Sequence, residues 1–167
     1  MKPENYIKLN NFIKSHKKLE KAIIFIDKGF PKPVMWIFYS MLFFLAIKKD
    51  KRVFACASIP WIDFYIVTKI RNKINRKRPF ENIGFEPIVP HSKGKSCPSR
   101  HASSSVIITF AVYFISPFWG IITGIISFFV CFSRILTGVH YISDVIAGMA
   151  ISIFIGTATF FGVLQKK

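Results

Sequence analysis

The uncharged stretch of residues 102–133 limits the possible folds of this chain more than any other feature. It is too long for one membrane-spanning helix and suits two short ones, with a turn at Ser116–Gly120. Half of the chain, 51%, is apolar, and 19 of its 167 residues are Phe, which is unusual for a soluble domain of this length. The sequence therefore predicts an all-helical integral membrane protein.

Three further apolar segments complete a predicted bundle of about five membrane-spanning helices: residues 34–47, 53–70 and 145–164. The first is short for a span, but flanking lysines can extend it because their long side chains reach the interface. The Gly29–Pro33 segment is expected to break any helix that precedes it. We expect a single membrane-embedded domain over residues 1–167.

The distribution of charge bears on the partners of the chain. Residues 1–30 mix lysines with apolar side chains at helical spacing, which predicts amphipathic helices at the membrane surface, although a solvated basic face fits equally well. The formal net charge of +16 gathers in the polar segments and is almost absent from the apolar ones. That segregation favours contact with anionic membrane lipids and argues against a nucleic-acid partner. The three cysteines have no metal-ligand spacing: Cys56, Cys97 and Cys131.

The polar stretch before the last predicted span holds Arg134, His140 and Asp144. Charged groups are costly beside such apolar segments and therefore indicate a function. If the chain after Val139 is helical, His140 and Asp144 share a face, where the carboxylate can accept the proton of one imidazole nitrogen and leave the other free to attack. The arginine offers a planar fork of the kind that binds phosphate. The stretch predicts phosphate chemistry with His140 as the nucleophile.

The one long polar connection, residues 71–101, is rich in arginine, lysine and proline and is predicted to be an active-site loop. With five spans, this loop and residues 134–140 emerge on the same side of the membrane. The basic segments Lys48–Arg52 and Lys166–Lys167 lie on the other side, which the positive-inside tendency makes cytoplasmic. We therefore expect an active site on the extracytoplasmic face. The basic N-terminal segment would then be an exception to the tendency, unless it hides another crossing.

Asp63 interrupts the second predicted span. A carboxylate halfway along a membrane helix is by default functional or paired inside the bundle. It shares a helix face with Val67 and Ile70, which points towards Arg71, so it would orient basic groups there. The alternative is that Asp63 meets water or a hydroxyl group, and the residues leave both interpretations open.

Three clusters follow one another along the chain: Arg71-x6-Arg78-Pro79, Pro98-Ser99-Arg100-His101 and Ser133-Arg134-x5-His140-x3-Asp144. Together they resemble the signature of the type 2 phosphatidic acid phosphatase superfamily, K-x6-R-P, P-S-G-H and S-R-x5-H-x3-D. The resemblance covers residues 71–144. Arg71 stands where the family has lysine, and Lys69 or Lys73 is an alternative for that role. Arg100 stands where the family often has glycine.

The resemblance implies a membrane lipid phosphatase with a phospho-histidine intermediate. It implies that His140 is the nucleophile, oriented by Asp144, and that His101 first protonates the leaving oxygen and then activates water. It assigns phosphate binding to five residues: Arg71, Arg78, Ser99, Arg100 and Arg134. It implies no cofactor and no metal ion, because arginines supply the positive charge.

The expected partner is a phosphorylated lipid. Small bacterial members of the family that act on lipid pyrophosphates are similar in length, which makes undecaprenyl pyrophosphate the expected substrate. Phosphatidic acid, phosphatidylglycerol phosphate and lipid A are the alternatives. A lipid phosphotransferase would use the same intermediate, and a non-catalytic binder or carrier of anionic headgroups would use the same arginines.

Overall fold

The computed structural model describes residues 3–163, and helices are the only regular secondary structure over that range. Its α-helices follow one another along the chain: α1 Pro3–Ser15, α2 Lys17–Gly29, α3 Pro31–Ile47, α4 Arg52–Ile74, α5 Pro79–Ile83, α6 Arg100–Ile115, α7 Pro117–Leu136 and α8 Ile142–Gly156. A π-helical segment, Thr157–Val163, continues α8. The predicted all-helical fold is confirmed over this range. The basic pair Lys166–Lys167 and the end of the last predicted span lie outside the described residues.

Within residues 3–163, four helical stretches are long and apolar enough to cross a membrane: Lys17–Ile47, Arg52–Ile83, Pro117–Leu136 and Ile142–Gly162. The five predicted spans correspond in sequence to α3, α4, α6, α7 and α8. Helix α6 is the one that falls outside those four stretches, because it has only 16 residues. The predicted membrane bundle is therefore right, and its count of five spans is approximate.

Helix α6 lies at the centre of the bundle, against α3, α4, α7 and α8. Its Ile107, Ala111 and Val112 are buried together with Leu45 of α3 and Cys56 of α4. Large aromatic side chains are exposed on the outside of the same bundle: Trp36, Phe43, Phe54, Trp61 and Phe154. Lipid tails solvate such a surface as well as a protein interior does, so close packing rather than hydrophobic burial holds the helices together.

The Gly29–Pro33 segment does not break the helix, and that prediction is wrong. Phe30 has helical dihedral angles, φ −64° and ψ −32°, and its N–H donates to the carbonyl of Ile26 at 3.1 Å. Pro31 and Pro33 lie in the first turn of α3, where proline is tolerated. Helices α2 and α3 therefore join at Phe30 as one long, locally irregular helix.

Helices α1 and α2 pack on the long polar connection, residues 71–101, that the sequence predicts to be an active-site loop. Ile13 and Ile23 are buried against Ile88 and Val89 of the loop. Asn10 Nδ2 donates to the carbonyl of Glu86 at 2.9 Å, and Lys14 Nζ lies 3.0 Å from the Glu86 carboxylate. The apolar stripe of residues 1–30 thus contacts protein along part of its length, and a location at the membrane surface stays a prediction.

Candidate active site

The ends of four helices meet at one end of the bundle and bring the three sequence clusters together. Arg71 and Arg134 lie in the last turns of α4 and α7, where a cation interacts favourably with the helix dipole. Ser99 caps the N-terminus of α6, and Asp144 lies in the first turn of α8. The Ser99 N–H donates to the carbonyl of Asp144 at 2.9 Å, which ties the second cluster to the third.

His140 lies in the turn between α7 and α8, so the expectation that it shares a helix with Asp144 is wrong: α8 begins at Ile142. Gly138 takes a φ of 75°, which permits the tight turn, and the His140 N–H donates to the carbonyl of Arg134 at 3.2 Å. The imidazole is fully buried. The turn, and not helical spacing, sets the approach of His140 to Asp144.

The two ring nitrogens of His140 face different surroundings. Nδ1 lies 3.7 Å from Asp144 Oδ2 and 3.5 Å from the hydroxyl of Ser96, which itself donates to that same carboxylate. Nε2 lies 3.4 Å from Nη1 of Arg78. Burial lowers the pKa of His140 to about 4; Asp144 opposes this shift, and the charge of Arg78 adds to it. The imidazole is therefore neutral near pH 7, as a nitrogen nucleophile has to be.

Arg78 and Arg71 are held by backbone carbonyls. Arg78 donates from Nε to Gly94 at 3.1 Å and from Nη1 to Val139 at 2.9 Å. Its Nη2 is buried and has no hydrogen-bond partner among the described residues. Arg71 is buried and donates from Nη1 to Pro98 at 3.3 Å. A buried, unpartnered guanidinium nitrogen is a donor available to an anion.

The alternatives to Arg71 turn away from the site. Lys69 and Lys73 are exposed, and Lys69 Nζ lies 5.3 Å from the ring centroid of Tyr65. The inward position at this end of α4 belongs to Arg71.

Arg134 is buried against Asp27 of α2. Its Nε lies 3.3 Å from Asp27 Oδ1, and its Nη2 donates to the carbonyl of Asp27 at 3.0 Å. Ser133 also donates to Asp27 Oδ1, at 3.1 Å. The N-terminal part of the chain therefore contributes to the site.

Ser99, Arg100 and His101 begin α6. The Ser99 hydroxyl is buried and accepts from the Ala102 N–H at 3.5 Å. Arg100 and His101 line a cavity of about 330 Å³ beside α3 and α4, with the Arg100 guanidinium 5.5 Å from the ring centroid of Phe64. Among the described residues, neither side chain is hydrogen-bonded to the His140 cluster, although His101 is close enough to Arg134 and His140 to interact with them electrostatically.

Sequence reasoning missed two side chains that hold Asp144, namely Ser96 and Arg76. Arg76 Nη1 lies 2.9 Å from Asp144 Oδ1, and its guanidinium lies 4.0 Å from the ring centroid of Tyr141. The Ser96 N–H donates to the carbonyl of Arg76 at 2.8 Å, which fixes the two residues relative to each other. Both belong to the loop predicted to carry the site, and the density of arginine there was the only signal.

His91 and Asp27 were missed as well. His91 is partly buried in the loop, and burial lowers its pKa to about 4, with Arg78 and His140 acting in the same direction. The only signal for Asp27 in the sequence is that a carboxylate follows the apolar run Ile23–Ile26 in a basic segment.

Asp63 pairs with hydroxyl groups, as the second of its two interpretations has it. Its carboxylate accepts from Ser103 at 2.5 Å and from Ser152 at 2.8 Å, and the two serine hydroxyls lie 2.9 Å apart. It thereby links α4, α6 and α8 below the active site. Within residues 3–163, no three His, Cys, Asp or Glu side chains converge to form a metal site.

An apolar groove leads away from His101 between α3, α4 and α6. The cavity lined by Arg100 and His101 adjoins a second one of about 310 Å³. Four residues line both cavities: Met35, Phe64, Ser104 and Ile108. The groove has polar groups at the active-site end and apolar walls along the rest of its length.

Residues 34–166 match the family model described as the PAP2 superfamily. The chain belongs to this superfamily. The predicted resemblance is thereby confirmed, and the chain is a multi-pass membrane protein of a lipid phosphatase family.

One curated protein is similar to part of the chain. The undecaprenyl-diphosphatase BcrC of Bacillus subtilis (strain 168) is 32% identical over 86 residues, which cover 47% of this chain and 41% of that protein. The chain thus matches less than half the length of this curated relative.

Two crystal structures share the fold along nearly the whole chain. LpxE of Aquifex aeolicus has a TM-score of 0.68 at 21% identity and covers 95% of this chain and 93% of its own. The transmembrane PAP2-type phosphatidylglycerolphosphate phosphatase of Bacillus subtilis has a TM-score of 0.65 at 21% identity, with 96% and 92% covered. At this identity the likeness concerns the fold.

Proposed function

We propose that this protein is a membrane hydrolase that removes phosphate from a lipid phosphate or pyrophosphate by way of a phospho-histidine at His140. One observation carries the proposal. Nε2 of the buried, neutral His140 lies 3.4 Å from Nη1 of Arg78, whose Nη2 is buried without a partner among the described residues. A nucleophilic nitrogen beside an unpaired cationic donor suits a phosphoryl group.

The reaction has two steps. First, Nε2 of His140 attacks phosphorus, and the N–P bond forms as the P–O bond to the leaving group breaks, while His101 donates a proton to the leaving oxygen. Then neutral His101 takes a proton from water, whose oxygen displaces the histidine nitrogen and releases inorganic phosphate. Asp144 and Ser96 hold Nδ1 throughout. Three buried arginines offset the charge that builds on the phosphoryl oxygens without a metal ion: Arg71, Arg78 and Arg134.

The apolar groove beside His101 supports a lipid substrate. A phosphate at His140 places the rest of a lipid near the N-terminus of α6, where the groove begins. The apolar walls formed by Met35, Phe64 and Ile108 suit a hydrocarbon chain. Arg100, at the active-site end of the groove, suits a second phosphate. Undecaprenyl pyrophosphate has both features, and the relative BcrC is named for that substrate. Phosphatidic acid, phosphatidylglycerol phosphate and lipid A are the competing substrates.

Release of inorganic phosphate by the purified full chain in detergent tests the proposal. We expect release from one lipid phosphate or pyrophosphate of a side-by-side panel, with undecaprenyl pyrophosphate turned over fastest. His140→Ala should abolish release, whereas His16→Ala, at an exposed histidine between α1 and α2, should leave it unchanged. Turnover that survives in His140→Ala would remove this residue from the nucleophile role.

Chelator and acceptor experiments separate the remaining possibilities. Release that persists in excess EDTA supports the metal-free mechanism, and loss that added divalent metal restores contradicts it. Binding of the lipid without any release would identify a non-catalytic headgroup binder. Transfer of the phosphoryl group to an added alcohol in preference to water would identify a phosphotransferase.

We further propose that the active site faces the extracytoplasmic side. The basic turn at Lys48–Arg52, at the opposite end of α3 and α4, supports this orientation. In a chain with Cys97→Ser, which removes the native thiol of the loop, a membrane-impermeant thiol reagent applied to intact cells should label Ser92→Cys, in the exposed part of the loop, and spare Asp50→Cys. The reverse labelling would place the site in the cytoplasm.

A further inference from the structure

We infer that Asp27 is a positioning residue that fixes the guanidinium of Arg134 for phosphate binding. Asp27 belongs to α2, which precedes the part of the chain that matches the family model. The inference rests on the proposed function, because it concerns the same phosphate site. It assigns part of the active site to the N-terminal helices.

The contacts between the two residues are double and buried. The carboxylate of Asp27 lies 3.3 Å from Nε of Arg134, and its backbone carbonyl accepts from Nη2 at 3.0 Å. The side chains are 3% and 6% exposed. Ser133 donates to the same carboxylate oxygen at 3.1 Å, so the acceptor is held from α7 as well.

Pro31 explains why the carbonyl of Asp27 is available. In a continuous helix the N–H of residue 31 would donate to the carbonyl of residue 27, four positions earlier. Proline has no N–H, so the helix leaves this carbonyl without its usual partner at the junction between α2 and α3. Nη2 of Arg134 donates to this carbonyl instead. The sequence Asp27-x3-Pro31 therefore provides two acceptors for one guanidinium, namely the carboxylate and the backbone carbonyl of Asp27.

These two acceptors of Asp27 determine which edge of the Arg134 guanidinium remains for a ligand. Asp27 accepts a hydrogen bond from Nη2 through its carbonyl and faces Nε at ion-pair distance through its carboxylate, and these two nitrogens form one side of the planar fork. Nε itself has no hydrogen bond among the described residues. The remaining nitrogen, Nη1, is then directed away from α2. A buried arginine also requires compensation of its charge, and the Asp27 carboxylate supplies it. Loss of Asp27 would leave Arg134 both free to rotate and unpaired.

A double-mutant cycle tests whether Asp27 acts through Arg134. Displacing a catalytic contact by about 1 Å costs roughly 100-fold, so Asp27→Ala should lower kcat/KM by about 10–100-fold. In the Arg134→Ala background the same substitution should change kcat/KM by less than about 3-fold, because coupled residues are not additive. An equal loss in both backgrounds would overturn the inference.

Binding of inorganic phosphate gives a second readout that needs no turnover. The dissociation constant of phosphate, measured by titration calorimetry on the purified full chain, should rise by about 10-fold or more in Asp27→Ala, in line with the loss expected for a misplaced contact. Glu20→Ala is the matched control, since it removes a carboxylate from the same helix that pairs with Lys17. An unchanged or tighter Kd in Asp27→Ala, or an equal rise in Glu20→Ala, would overturn the inference.

Pro31→Ala distinguishes positioning from general damage to the helix. Alanine restores the N–H that competes for the Asp27 carbonyl and also favours the helix. We expect a Tm equal to or above that of the wild type together with weaker phosphate binding. Unchanged phosphate binding in this variant would contradict the role of the carbonyl. A wild-type chain that binds phosphate but releases none from lipids would defeat the proposed function and leave this inference standing.

Discussion

Nη1 of Arg78 lies 3.4 Å from Nε2 of His140, closer than the 3.7 Å between Nδ1 of the same ring and Asp144. The same Nη1 donates to the carbonyl of Val139, the residue before His140. Arg78 therefore holds both the backbone and the reactive edge of the proposed nucleophile. Movement of this guanidinium would displace the imidazole with it.

Replacement of Arg78 by lysine should lower kcat by about 100–1,000-fold, the usual loss when one preorganised donor is removed from a transition state. The fork of Arg78 donates to Gly94 and Val139 and leaves Nη2 for a phosphoryl oxygen, and a lysine ammonium cannot reach all three positions together. Phosphate release from the best lipid of the panel is the measurement. Arg52→Lys, at the opposite end of the bundle, is the control and should stay within about 2-fold. Comparable activity in the two variants would contradict the assignment.

The pH dependence should report a neutral nucleophile. Burial lowers the pKa of His140 from 6.5 to about 4, so the lone pair on Nε2 is present above that pH and lost below it. We expect kcat/KM, which reports the free enzyme, to fall on the acid side with an apparent pKa near 4.

Asp144→Asn tests the assignment of this acid limb. The charge of Asp144 raises the pKa of His140, so its removal should move the limb of the residual activity to lower pH. The wild type and Asp144→Asn should be measured on the same substrate, because the substrate's own titration then contributes equally to both pH profiles. A wild-type limb near 6.5, or a shift to higher pH in the variant, would argue against control by His140.

Ser96→Ala should lower kcat by about 10-fold or more, because the hydroxyl lies between Asp144 and Nδ1 of His140. Without it, the direct Nδ1–Asp144 distance of 3.7 Å is too long for a hydrogen bond. Ser92→Ala, in the exposed part of the same loop, is the matched control and should have no effect. Phosphate release under saturating lipid distinguishes them, and equal rates in the two variants would refute the bridging role.

Gly148→Ala should destabilise the protein by about 1–3 kcal/mol and reduce turnover. A Cβ at Gly148 would lie 2.5 Å from the carbonyl oxygen of Ser99, so α8 and the N-terminus of α6 would have to separate. Gly124→Ala is the control, since its Cβ would meet Thr109 at an ordinary 3.5 Å. The Tm in detergent and kcat should fall only in Gly148→Ala. A normal Tm for this variant would show that the two helices can part without cost.

The sequence predicted those features that depend on local chemistry. Apolar length located the membrane helices, and the turn predicted at Ser116–Gly120 corresponds to the break at Ser116 between α6 and α7. Counting the predicted spans also placed His140, Arg78 and Asp144 on one side of the membrane. The error at Gly29–Pro33 arose because prolines in a first turn are compatible with a helix that continues through Phe30.

What the sequence could not supply are the contacts between distant segments. Ser96 reaches Asp144 across 48 positions, and Arg134 reaches Asp27 across 107. No periodicity or motif connects such residues, since their proximity depends on how the loop and the N-terminal helices fold over the bundle. Asp63 had two interpretations for the same reason: its serine partners lie 40 and 89 positions away.

The groove between α3, α4 and α6 opens on the side of the bundle rather than at its end. A molecule dissolved in the bilayer can therefore reach His101 by diffusion within the plane of the leaflet, with its hydrocarbon chain never passing through water. In mixed micelles, turnover would then follow the mole fraction of lipid in the micelle, and dilution with detergent at constant bulk lipid would slow the enzyme.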